Sequence, residues 1–237
     1  TYNYMTRKMN QLMEKQAQAA EDLRIAEFNS LQAQINPHFL YNTLDSIIWM
    51  SEAGENDQVV LMTSALAKLL RQSISNDREQ ITVAEEIDYV RSYLTIQKMR
   101  YKDKLEYTID VEERILDVWI IKFVLQPLVE NAIYHGLKYK ETKGNLDIRG
   151  YRRDNRVCLV VADDGAGMEE SELEHILEKK EKKTKSNGVG VYNVQKRLQL
   201  YYGAEYGISY ISRKGEGTVA TVTIPLDGGK SNEETGR

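Results

Sequence analysis

The sequence predicts an α+β protein in which a helical N-terminal part precedes an α/β sandwich. Three observations carry that prediction. Residues 1–30 keep a heptad spacing with no Pro and no Gly, residues 38–74 hold two apolar helical runs around a short Gly- and Asn-bearing turn, and residues 83–224 alternate helix-period with strand-period runs. Helical runs of the first two kinds pack on other helices, whereas the third pattern lays helices on one face of a mixed sheet.

In the first stretch Met5, Met9, Leu12, Gln16, Ala19, Leu23 and Ala26 follow a 4-3-4-3-4-3 spacing, the rhythm of a coiled coil. Gln16 and the two alanines weaken the seam, so residues 1–30 are expected to form a transmitting helix. Pro37 removes a backbone donor and predicts a kink just before His38. The apolar pattern resumes with Phe39, Leu40, Leu44, Ile47, Ile48 and Trp49, turns near 51–57, and continues through Val59, Val60, Met62, Leu66, Leu69, Leu70 and Ile74. These runs predict an antiparallel hairpin over residues 31–77. A lone hairpin buries little, so two chains pairing as a homodimeric four-helix bundle is the economical packing.

The polar run 75–80 marks a boundary, and Thr82 with Glu85 gives a capping-box signature for a helix over 83–101. A strand is expected at 105–111, a helix near 120–138, and strands near 145–152 and 156–162. A Lys/Glu-rich segment spans 169–187, a helix runs from about 189 to 202 before Gly203, and strands near 206–213 and 217–224 close the unit. The sandwich thus occupies 78–228, and the polar tail 229–237 is expected to be disordered.

Thirty-six acids against 32 bases leave a net charge of −4, which gives no case for nucleic acid as a main partner. The single cysteine, Cys158, excludes an intrachain disulfide; its setting in VCLVVA predicts a small buried hydrophobe and fits a reducing, cytoplasmic setting. No run approaches the roughly 20 apolar residues of a membrane helix, and no secretory signal is present. Because the chain begins at Thr1, we expect it to be part of a longer protein whose membrane anchor lies outside it.

The chemistry concentrates in four short blocks: NPHFLYNTL (36–44), PLVENAIYHG (127–136), ADDGAGM (162–168) and NGVGV (187–191). His38 is a nucleophile near neutral pH, and Asn42 follows it by one helical turn. Asn131, next to Glu130 on an apolar helix, offers an amide oxygen suited to Mg²⁺. Asp163 ends a buried strand just before Gly165 and Gly167, where a carboxylate can accept from an adenine amino group and glycine lets backbone approach closely. Gly188 and Gly190 open a helix whose free N–H groups favour phosphate. Singly, each is a common turn, cap or surface feature; their order along the chain is far more specific.

These blocks resemble the asparagine box and the two glycine boxes of the GHKL ATP-binding fold shared by histidine kinases and gyrase. With NPHFLYNTL and LQPLVENAIYHG, residues 31–225 resemble the LytS/YesM-type sensor histidine kinases, and residues 1–30 the end of a HAMP domain with its signalling helix. The resemblance implies a sensor kinase of a two-component system: ATP-dependent phosphorylation of His38 in the 31–77 unit, then transfer to an aspartate of a response regulator. It implies Asn131 as Mg²⁺ ligand, Asp163 as adenine ligand, Gly165, Gly167, Gly188 and Gly190 as pocket and lid glycines, and Thr218 as a final-strand residue near the adenine. Residues between Met168 and Asn187 correspond to the ATP lid, where Lys182, Lys183 and Lys185 are phosphate-reaching candidates.

There are departures. Tyr134 stands where many relatives place lysine, which leaves phosphate neutralisation to His135, Lys138 or the lid. Asp164 replaces a frequent Asn and is expected to face solvent. Phe39 replaces the acid that often follows the histidine, so the base is unassigned, with Glu130 and Asn42 as candidates to orient the imidazole. The alternative within the fold is an ATP-driven clamp or a binding module without kinase activity. Clamps carry a catalytic Glu four residues before the Asn, a position held here by Pro127.

Overall fold

The computed structural model describes residues 37–74, 79–137, 140, 142–177 and 189–228. The expected signalling helix, the kink before His38, the lid residues 178–188 and the tail 229–237 lie outside the described residues. Helices α1 (Pro37–Glu52) and α2 (Asn56–Ile74) form the expected hairpin. Gly54 (φ +75°) makes the turn between them, with the Glu55 N–H donating to Met50 O at 2.9 Å. The hairpin buries Phe39, Met50, Met62, Leu66 and Leu69 on one side and leaves Tyr41, Ile48, Trp49 and Val60 between 54% and 74% exposed on the other.

Strand β1 (Gln80–Thr82) leads into α3 (Val83–Tyr101). The capping box forms as expected: the Glu85 N–H donates to Thr82 Oγ1 at 3.2 Å and the Thr82 N–H to Glu85 Oε2 at 2.8 Å. Strand β2 (Leu105–Val111) follows, then β3 (Trp119–Ile121), which pairs antiparallel with β1. Here the sequence reading needs correction. The helix expected from 120 begins only at Gln126, because the β-rich Trp-Ile-Ile triplet is drawn into a two-stranded sheet and Pro127 sits where proline starts a helix. Three-residue strands are too short for an alternation pattern to announce them.

Helix α4 (Gln126–Asn131) continues as a π-helical turn over Ala132–Leu137. Strands β4 (Gly144–Arg153) and β5 (Arg156–Asp163), short helix α5 (Glu170–Glu174), helix α6 (Val189–Tyr202), β6 (Gly207–Arg213) and β7 (Gly217–Pro225) complete the chain. The main sheet has the order β2-β4-β5-β7-β6, with only β2 and β4 parallel. One face carries Leu146, Ile148, Val157, Leu159, Val161, Val222 and Ile224 into a core closed by Leu94 and Ile96 of α3, Leu128 and Val129 of α4, and Val194 and Leu198 of α6. Cys158 is buried, and no described helix is long and apolar enough to cross a membrane.

Candidate functional site

The site begins with the turn that launches α4. The backbone N–H groups of Phe123, Val124 and Leu125 donate to the fully buried Glu86 carboxylate at 2.9, 2.8 and 2.8 Å. Burial pushes the Glu86 pKa up, against the pull of these three donors and of Arg197. Arg197 also donates to Lys122 O at 2.8 Å, so α3 and α6 together fix the turn. The helix it launches presents Glu130 and Asn131 in different directions.

Asn131 points to a cleft of about 290 Å³ between α4, its π-turn and the ends of β5 and β7. Asn131, His135, Gly136, Asp163, Gly167 and Thr218 line it, with apolar walls from Leu128, Val161, Met168, Ile176 and Ala220. Its floor is built by glycines. A Cβ on Gly165 would lie 2.3 Å from the Gly136 carbonyl, and a Cβ on Gly136 would lie 2.5 Å from Asp163 Oδ1. Only two glycines allow the π-turn to touch the β5 end, where the Ala166 N–H donates to Gly136 O at 3.0 Å. A π-turn is a strained local choice that recurs at functional sites.

Asp163 accepts from the Gly165 N–H at 2.9 Å. Burial raises its pKa to about 6, although N–H groups of Gly165 and Thr218 pull the other way. Thr218 lies opposite Asp163 in the β5–β7 ladder, and its Oγ1 lies 2.9 Å from Ser212 Oγ. Gly217, at φ +95°, passes so close to Asp163 O that a Cβ would sit 2.0 Å from it. Asp164 keeps 40% of its side chain exposed, as expected, and is also engaged by the protein. Its carboxylate accepts from Asn145 N and Nδ2 at 2.8 and 2.6 Å and pairs with Lys140 Nζ at 2.7 Å, clasping the loop that follows Asp163. Partial burial raises its pKa, and these bonds more than offset that, so it sits below the ordinary value.

Glu130 faces the other way. It borders a crevice between the hairpin and the sandwich with Phe39, Leu66, Leu69, Tyr89 and Tyr93, and its Oε1 accepts from Gln126 Nε2 at 2.9 Å. Burial raises its pKa. His38 stands exposed on α1, and the Asn42 amide nitrogen lies 3.1 Å from its Nδ1 and 3.2 Å from its Nε2. His38 is not among the residues that line the cleft.

Of the residues singled out in the sequence, Asn131, His135, Asp163, Gly167 and Thr218 come together. Gly165 lies beneath the floor. Gly190 opens α6, where a Cβ would meet Pro127 Cβ at an ordinary 3.5 Å, and it does not line the cleft. Lys138, Lys182, Lys183, Lys185 and Gly188 lie outside the described residues. Sequence reading missed Glu86, Gly136, Tyr210 and Gly217. Gly136 sat inside a quoted motif and Gly217 inside an expected strand, and their role becomes legible only when the backbones that touch them are known.

A family model described as histidine kinase matches residues 26–105, and one described as histidine kinase-, DNA gyrase B-, and HSP90-like ATPase matches residues 117–228. The sensor histidine kinase YesM of Bacillus subtilis is 37% identical over 224 residues, which cover 94% of this chain and 37% of that protein. The sensor protein LytS of Oceanobacillus iheyensis is 34% identical over 208 residues, or 86% of this chain and 35% of that one. The chain thus spans about a third of the length of the curated relatives it matches. Among solved structures, the histidine kinase domain of a blue-light activated kinase from Erythrobacter litoralis has a TM-score of 0.50 at 16% identity, covering 85% of this chain and 91% of that one, a likeness of fold alone.

Proposed function

Because this chain belongs to the LytS/YesM-type sensor histidine kinases, we propose that it phosphorylates its own His38 from ATP and passes the phosphoryl group to an aspartate of a response regulator. The observation that carries this reading is the convergence of Asn131, Asp163, Gly167 and Thr218 on one cleft at the end of β5. A charged acceptor, an amide oxygen and close backbone are the groups an adenine nucleotide needs, and the fit is of the right chemistry on both sides.

In this reading the Asp163 carboxylate accepts from the adenine amino group, Thr218 flanks the base, and Gly136 and Gly167 let backbone approach it. Asn131 would hold Mg²⁺ through its amide oxygen, and the ion supplies neutralisation of phosphate charge when bound. His135, at the exposed lip of the cleft, is a further phosphate contact.

His38 attacks as the neutral imidazole. The N–P bond forms as the bond from the γ-phosphorus to the bridging oxygen breaks, ADP leaves, and the second ring nitrogen gives up its proton. Asn42, within hydrogen-bond distance of the ring, holds the imidazole. Glu130, on the hairpin side of α4, takes that proton in this reading once the hairpin and the sandwich rearrange. The exposed side of the hairpin is the surface on which a second copy completes a four-helix bundle, and residues 31–77 form this unit while 78–228 form the ATP-binding unit. The longer protein is a membrane-anchored sensor in this reading.

Incubation of the chain with γ-labelled ATP and Mg²⁺ tests the proposal. A covalent label that is lost in acid and kept in base is the expected result. Release of free phosphate with no covalent label would replace the kinase reading with an ATPase.

A further inference from the structure

The helical face of the sheet turns two successive rows of side chains toward the cleft. In the first row Asp163 lies opposite Thr218 and Thr218 opposite Ser212; in the next, Val161 lies opposite Ala220 and Ala220 opposite Tyr210. The first row is polar and bonded within itself. Ser212 Oγ accepts from the Met168 N–H at 2.9 Å and lies 2.8 Å from Gly217 O and 2.9 Å from Thr218 Oγ1, so both hydroxyls have partners in the protein.

The second row is apolar except for one atom. The Tyr210 hydroxyl is buried and has no hydrogen-bond partner among the described residues, although the side chain lines the cleft and Ala220 opposite leaves room for its ring. An orphaned buried hydroxyl is costly, and phenylalanine would fill the same space without it. Burial also pushes the phenol well above its ordinary pKa, so it keeps its proton and remains a donor. The cleft therefore offers an acceptor at Asp163 and, two strands away, a donor with nothing to donate to.

We infer that the Tyr210 hydroxyl donates a hydrogen bond to a ring nitrogen of the bound adenine, which makes it a specificity contact complementary to Asp163. The inference rests on the nucleotide reading above. Adenine sets an amino donor among ring-nitrogen acceptors, whereas guanine offers a carbonyl in place of that amino group. A carboxylate acceptor joined to a hydroxyl donor matches the first base and mismatches the second.

The test is Tyr210→Phe in this chain, read by titration calorimetry with ATP and its 1-deaza, 3-deaza and 7-deaza analogues, and by thermal unfolding without nucleotide. Wild type should bind one analogue about tenfold more weakly than ATP, the factor one net hydrogen bond gives. Tyr210→Phe should bind ATP weaker by a similar factor and no longer distinguish that analogue from ATP. Without nucleotide its unfolding temperature should equal or exceed that of wild type, because an orphan has been removed. Unchanged ATP affinity overturns the inference, as does an equal loss for ATP and all three analogues, which would mean that only the ring packing matters. A lower unfolding temperature also overturns it, since the hydroxyl would then have a structural partner. Failure of the wild type itself to bind ATP would overturn the nucleotide reading first, and is told apart because it precedes any substitution.

Discussion

The ring of Phe39 rests on the ring of Tyr93, with centroids 5.1 Å apart and planes tilted by 30°. Phe39 is the residue after His38, and Tyr93 belongs to the first helix of the sandwich, so the histidine's neighbour is anchored to the unit that holds the cleft. Glu130 borders the same seam while Asn131, one residue on, borders the cleft. His38 lies outside the cleft wall, so we expect the proposed phosphoryl transfer to open this seam.

The first prediction concerns that seam. An aromatic pair contributes about 0.5–1.5 kcal/mol beyond its burial. Tyr93→Leu removes the pairing while leaving an apolar side chain in the seam, and also removes the hydroxyl that accepts from Gln97 Nε2 at 2.7 Å. Labelling of His38 should then run about two- to tenfold faster if the seam opens before transfer, with ATP affinity unchanged. An unchanged or slower rate would mean that the docked arrangement is the reactive one.

The second contrasts two glycines. Gly136→Ala drives a methyl group to 2.5 Å from Asp163 Oδ1, whereas at Gly190 the nearest atom is Pro127 Cβ at 3.5 Å. Gly136→Ala should lose about 1–3 kcal/mol of stability by overpacking together with most of its ATP affinity. Gly190→Ala, in a helix, should keep its stability or gain up to about 1 kcal/mol. Thermal unfolding of both variants decides; equal behaviour would mean that the Gly136–Asp163 contact is not what shapes the floor.

The third follows from the raised pKa of Asp163, about 6 against an ordinary 3.8. A carboxyl raised by burial contributes stability that is fully present below about 3.8 and is lost as pH rises through about 6. Asp163→Asn should therefore be more stable than wild type at pH 8, with the gap closing in acid. Nucleotide binding runs the other way, because the charged acceptor exists only above its pKa. Wild type should bind ATP about 10- to 100-fold more tightly than Asp163→Asn at pH 8, and calorimetry across pH 5 to 8 should show that advantage shrinking below about 6. A constant advantage over the range would remove Asp163 from the base contact.

The fourth concerns pairing of two chains. Trp49 is 74% exposed and Ile48 54% exposed on the open side of the hairpin, a surface that monomers rarely leave bare. Trp49→Glu joined to Ile48→Glu should sediment as a monomer that still binds ATP, as should a chain beginning near residue 78. A dimer in either case would place the interface elsewhere.

Much of this was legible in the sequence, and the gaps have physical causes. The hairpin, the capping box of α3 and the five strands of the main sheet all announce themselves through period and caps. Asp163, Asn131 and Thr218 carried motif wording that survived into one cleft. The strand Trp119–Ile121 did not announce itself, because three residues give no period and its partner lies far back along the chain. Glu86 was passed over beside the capping box, because its three backbone partners are 37 to 39 residues away. Asp164 does face solvent, but its partners were not legible for the same reason: Asn145 and Lys140 reach it only after β4 and β5 pair.

The most direct measurement is covalent labelling of His38→Gln beside wild type, with γ-labelled ATP and Mg²⁺, peptide mapping of the label, and calorimetric ATP affinity on the same samples. Wild type should carry one acid-labile label on the peptide containing His38. His38→Gln should carry none while binding ATP within error of wild type, because the exposed His38 side chain lies outside the cleft wall. Normal labelling of His38→Gln, or a label mapped to His135 or His175, would contradict the assignment.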